Sequence, residues 1–192
     1  MGKLPIEIAK ESFYIMLRPE QHWQKIKTDS TYNPGVFSRF FFPGLVMIFV
    51  SVIIGTLLFN SSFGFLPIDT MIKALREVLL VLMTFVASTM ILYEVSRWYH
   101  IPMGFETARR VIIYSMLPFF AISIITGFFP FLTYLEIFSI YSFYLLYLAL
   151  TTIYEITPYR KMGYLIILFA GILLSYIVIA LLLSILTALI VY

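Results

Sequence analysis

The stretch RRVIIYSMLPFFAISIITGFF, residues Arg109–Phe129, decides how the rest of the chain is read. Two adjacent arginines lead directly into residues 111–129, which carry no charge at all. As a helix that segment rises about 28 Å, close to the hydrocarbon thickness of about 30 Å that a bilayer presents. The apolar run therefore reads as a membrane span whose arginines stay at the headgroups. Pro118 lies inside it. Proline has no N–H, so it deletes the backbone bond to the Tyr114 carbonyl and bends the helix. Ser115 or a neighbouring helix can satisfy that carbonyl, which is how membrane helices tolerate proline.

The same pattern recurs along the chain. Apolar segments run from Phe40 to Phe59, Val78 to Ser96, Val111 to Phe129, Ile137 to Tyr154 and Met162 to Tyr192. The composition agrees, with 61% hydrophobic and only 12% charged residues among 192. A water-soluble surface needs about a quarter of its residues charged. The sequence thus predicts an all-α polytopic membrane protein, a bundle of five transmembrane helices spanning residues 40–192. Residues 1–39 mix charge with apolar side chains and read as an N-terminal cytoplasmic, interfacial amphipathic segment. There Pro19 can open a short helix that sets Trp23 and Ile26 on one face, toward headgroups or the bundle. Glu7, Lys10 and Glu11 break the apolar residues of the first seventeen, which argues against a signal peptide.

Positive charge sets the expected orientation, because cytoplasmic flanks retain Lys and Arg. With the N-terminus inside, Lys3, Lys10, Arg18, Lys25, Lys27, Arg39, Arg97, Arg109, Arg110, Arg160 and Lys161 fall on inner flanks, and only Lys73 and Arg76 on outer loops. The expectation is a plasma (inner) membrane protein with a cytoplasmic N-terminus and an external C-terminus. Arg109 and Arg110 are internal, so they are not a twin-arginine export signal.

Chemistry is sparse. No HExxH, GxSxG, Walker or GxGxxG motif occurs, and with no Cys there is no thiolate site. No enzyme, cofactor, metal or nucleic-acid partner is expected. The ionisable residues near the apolar segments, Glu77, Glu94, Arg97, Glu106 and Glu136, fall at span ends, where long side chains reach headgroup water. Glu94 and Arg97 can pair along one helix face. Alternatively Glu94, Arg97, Glu106, Arg109 and Arg110 line one cytoplasmic cleft between the second and third spans, which makes them candidate functional residues together with Tyr114, Ser115 and Pro118. Asn60-Ser61-Ser62 has the form of a glycosylation sequon but adjoins a span end. Small residues four apart, Ser51/Gly55, Thr84/Ser88, Gly171/Ser175 and Ala180/Ser184/Ala188, suit close helix packing within one bundle, or a face for a second copy of the chain.

Three motifs in order carry a family resemblance: RPEQHWQKI with Pro19, Trp23 and Ile26, then GFETARRVIIYSMLPFF with Phe105, Ala108, Tyr114, Ser115 and Pro118, then IYSFYLLYLAL with Tyr141, Tyr144 and Tyr147. Lys161, Gly163 and Tyr164 follow at the start of the fifth span. Together they resemble the Yip1 domain family in its prokaryotic form. Two features depart from the family pattern: Ala149 stands where glycine is common, and the Asp-Leu-Tyr-Gly-Pro motif of eukaryotic members is absent. Those members act in vesicle traffic with prenylated small GTPases, a role the missing motif does not carry over. The resemblance implies five spans, a cytoplasmic N-terminus and no enzyme activity.

The expected function is a non-enzymatic membrane module that organises lipids or membrane-protein partners. The alternative is a transporter, channel or lipid-moving protein with a path between spans two, three and four, lined by Thr84, Ser88, Tyr114, Ser115, Tyr141 and Tyr144.

Overall fold

The computed structural model describes residues 14–28, 40–59, 67–154 and 158–191. Among them every regular element is helical. The helices are α1 (Pro19–Thr28), α2 (Phe42–Phe59), α3 (Pro67–Trp98), α4 (Phe105–Ser115), α5 (Leu117–Phe128), a 3-10 helix (Pro130–Ile140), α6 (Tyr141–Ile153) and α7 (Pro158–Val191). Four helical segments are long and apolar enough to cross a membrane, and α4 with α5 makes five if the bent pair is one broken span rather than a re-entrant loop. The Asn60 sequon and most of residues 1–39 lie outside the described residues.

The uniform apolarity of these helices follows from their solvent. Lipid tails are as apolar as leucine, so a lipid-facing position and a buried one draw on the same residue types. In α2, Leu45 and Ile48 are buried while Val46, Met47, Leu57 and Leu58 are exposed. What distinguishes the buried face is size. A Cβ added at Gly55 would collide with the Gly127 carbonyl of α5, and one at Gly127 would meet Ser51 Oγ at 2.5 Å. The small residues bring the two backbones together, as the Ser51/Gly55 spacing predicts for packing within one bundle.

Two span boundaries differ from those expected. The second span begins at Pro67 rather than Val78, so Lys73, Arg76 and Glu77 sit on a 32-residue helix, not in a loop. Charge does not end that helix because it is compensated: Arg76 Nη1 donates to Glu77 Oε1 at 3.0 Å and Nη2 to Ser184 Oγ at 2.9 Å. The fourth span begins at Pro130, with 11 residues of 3-10 helix ahead of α6. At roughly 48 Å, α3 exceeds the hydrocarbon thickness, and its C-terminal turns pack against α4 and α7.

The proline acts as expected but one step earlier in the chain. The third span breaks at Met116 (φ −82°, ψ −2°) into α4 and α5, which meet at 43°. Pro118 then falls in the first turn of α5, where its missing N–H is needed by no carbonyl of that helix. Ser115 does not close the gap, because its hydroxyl is buried without a hydrogen bond among the described residues.

The α3–α4 turn is closed by His100, whose φ of 57° is left-handed. Its N–H donates to the Arg97 carbonyl at 3.1 Å and the Ile101 N–H to that of Ser96 at 2.9 Å, the paired bonds of a Schellman cap.

Candidate functional site: an intramembrane cavity above an aromatic lock

One end of the bundle is closed by aromatic rings. Trp23 of α1 is fully buried and packs edge-on to Tyr114 of α4 with centroids 6.0 Å apart. His22 meets the same tyrosine at 4.8 Å and Phe40 meets it at 5.8 Å. Edge-to-face geometry suits ring quadrupoles and leaves little void. Tyr141 of α6 donates its hydroxyl to the Met16 carbonyl at 2.8 Å, fastening the chain ahead of α1 to the bundle. Of the interfacial residues, Pro19 and Trp23 are buried and Ile26 is partly buried against the core, so they face the bundle rather than headgroups.

The same end carries Arg97, Arg109 and Arg110. Glu94 and Arg97 pair at 3.7 Å on α3, and Glu106 and Arg109 at 2.7 Å on α4, both as i,i+3 neighbours. Glu94 and Arg97 are exposed, and Arg110 is half-buried. These pairs each close on their own helix. None of the five charged residues borders the cavity described next.

That cavity, about 650 Å³, lies between α2, α3, α4, α5, the 3-10 helix, α6 and α7, toward the opposite end. Its volume falls within the range of small-molecule sites. Along α3 it is bordered by Lys73, Glu77, Leu80, Thr84 and Ser88, a single helix face reaching over about 22 Å. Ser115 and Met116 border it from the helix break, Ser123 and Thr126 from α5, Glu136 from the 3-10 helix, and Ser142 from α6. Thr84, Ser88 and Ser115 from the expected path are therefore present, whereas Tyr114, Tyr141 and Tyr144 are not part of the wall.

Several hydroxyls bond back to their own helix: Thr89 to the Phe85 carbonyl at 2.8 Å, Ser175 to that of Ile172 at 2.8 Å, Thr187 to that of Leu183 at 2.9 Å and, on the cavity wall, Thr126 to that of Ser123 at 3.5 Å. This is how membrane helices ordinarily satisfy Ser and Thr. Away from the wall, Thr70 Oγ1 is buried with no hydrogen bond among the described residues. Thr84 Oγ1, Ser115 Oγ and Ser142 Oγ border the cavity and make no hydrogen bond among the described residues. Leaving a buried hydroxyl unsatisfied costs about 1–3 kcal/mol. Three such groups around one cavity mark it as a place for a polar ligand or for water.

The charged end of the cavity was missed in the sequence because Lys73 and Arg76 read as loop charges and Glu77 and Glu136 as span ends. A signal was available. Positions 73, 77, 80, 84 and 88 follow the i, i+4, i+7 repeat of one helix face, and four of the five are polar.

Tyr164 of α7, from the last motif, is fully buried and its hydroxyl lies 2.9 Å from Ser96 Oγ. Tyr99 packs edge-on against it, and Lys161 Nζ lies 5.3 Å from the Tyr147 ring centroid. The motif residues thus join α3, α6 and α7 at the locked end.

A search of curated proteins and a search of solved structures each returned no match. The model of the Yip1 domain matches residues 13–182, from the chain ahead of α1 to within α7. With the motifs at Trp23, Tyr114-Ser115-Pro118 and Tyr164 all inside that match and all built into an all-helical membrane bundle, the chain belongs to the Yip1 domain family.

Proposed function

We propose that the protein is a non-enzymatic membrane module that organises its surroundings by holding a membrane lipid in the cavity. The locked, arginine-bearing end faces the cytoplasm of a plasma (inner) membrane. The observation that carries this is the wall itself: three buried hydroxyls without a hydrogen bond among the described residues border one cavity, below a charged rim. The basic inner flanks favour the orientation, since each Lys or Arg near an anionic leaflet contributes about 1 kcal/mol. Residues 1–39 act with these flanks as the cytoplasmic face, docked to the transmembrane domain through Trp23.

The test is to purify the full chain and quantify the lipid that stays bound. Retention near one lipid per chain is expected, with loss in Thr84→Leu and Ser115→Leu, whose added volume falls in the cavity. A chain that keeps no lipid, or variants that fold and keep it all, would refute the reading. An external C-terminal reporter is expected, and a cytoplasmic one would overturn the orientation.

A second reading has one observation in its favour. The helix break at Met116 adjoins the cavity wall, and a broken helix lining a cavity is how transporters build a path. Flux of lipid or solute in liposomes, lost on Pro118→Ala, would establish a lipid-moving or transport function in place of a static holder.

A further inference from the structure

The rim of the cavity carries more chemistry than a lipid tail requires. Lys73, Arg76 and Glu77 come from the early turns of α3 and Glu136 from the 3-10 helix, so two cations and two anions border one mouth. They do not exhaust one another. Arg76 holds Glu77 and Ser184 through its two terminal nitrogens, but its Nε–H is buried without an acceptor. Glu136 repels Glu77 and no ion pair joins it to another described residue. The rim thus has an exposed carboxylate with no ion pair among the described residues beside a guanidinium whose Nε–H has no acceptor.

The way in is from the side. α7 packs along α3, and it reaches α5 and α6 through ring contacts, Phe119–Tyr176 at 6.1 Å and Phe143–Phe169 at 5.3 Å. Ile140 and Leu173 both border the cavity and are 66% and 51% exposed, on a surface that otherwise meets lipid tails. A ligand entering there comes from the bilayer.

The geometry points to a phospholipid whose headgroup joins a phosphate to a primary ammonium. The ammonium sits on Glu136 and the phosphate on Arg76 and Lys73. This rests on the reading that the cavity holds a membrane lipid. A quaternary ammonium has no N–H to give Glu136. An anionic headgroup without an amine sets its charge against Glu136 and Glu77 together.

The test uses the full chain in nanodiscs of phosphatidylglycerol mixed in equal parts with phosphatidylethanolamine or with phosphatidylcholine, the lipid retained after transfer to detergent being identified by mass spectrometry. Phosphatidylethanolamine is expected to be retained about tenfold over the other two, the size of one hydrogen bond to a charged group. The preference falls to parity in Glu136→Gln and turns toward phosphatidylglycerol in Glu136→Lys. Equal retention of all three lipids, or a preference that both variants keep, overturns the headgroup assignment while the lipid cavity stands. Displacement by soluble phosphoethanolamine overturns the lipid as its source. Failure of the underlying reading shows separately, as no retained lipid or as retention indifferent to Ser115→Leu.

Discussion

The two ends of the bundle solve the packing problem in opposite ways. At the locked end Trp23, His22, Phe40 and Tyr114 fill space with rings, and the polar atoms of Ser96, Tyr164 and Tyr141 find partners, although Trp23 Nε1 makes no hydrogen bond among the described residues. At the other end Thr84, Ser115 and Ser142 surround an opening and leave their hydroxyls unsatisfied. The helix break at Met116 lies between them, with Tyr114 on the closed side and Ser115 on the open one. Adjacent residues thus belong to different regimes. Stability is expected where packing is complete, and the proposed binding lies where it is not.

Substitutions can break that contrast or sharpen it. The largest effect is expected from Trp23→Ala, which opens a void beneath Tyr114 and His22 and lowers stability by about 4 kcal/mol, as truncation of a large buried ring does. Thermal unfolding in detergent checks it, and an effect under 1 kcal/mol would mean that α1 only rests on the bundle. Next comes Gly55→Val. Its side chain would meet backbone of α5 rather than a movable side chain, so a loss of about 3 kcal/mol is expected from overpacking. Retained stability would show that the α2–α5 seam can widen.

Ser115→Ala goes the other way. Removing a buried, unsatisfied hydroxyl is expected to raise the stability of lipid-free protein by about 1 kcal/mol while weakening lipid retention. A drop in stability would place Ser115 among the structural residues of the locked end. His100→Gly tests the turn outside both regions. Glycine accepts the left-handed conformation without a Cβ clash but adds freedom to the unfolded chain, so a gain of about 0.5 kcal/mol is expected, with lipid retention unchanged.

Much of this was legible in the residues. Charge-free segments of membrane length, the basic flanks and the ordered motifs lead to a five-span Yip1 bundle, because a bilayer forbids unsatisfied backbone and leaves the helix as the means of crossing. Pro118 announced a break, and the break is there. The grouping of Glu94, Arg97, Glu106, Arg109 and Arg110 was less legible. Their i,i+3 spacings specify partners on the same helix, and nothing in a spacing says whether two helices turn those faces together. Lys73, Arg76 and Glu77 were hidden by a sound rule, that charge ends a span, which compensation by Ser184 from over a hundred residues away sets aside.

The sequence by itself determined the solvent, the helical fold class and the family, since hydropathy, charge and motif order are local and need no partner. Only the tertiary structure decided which hydroxyls are satisfied, that Trp23 faces inward, and that a charged rim tops a cavity. Those properties depend on distances between helices, and in lipid, where apolar residues face both ways, hydrophobicity does not encode them.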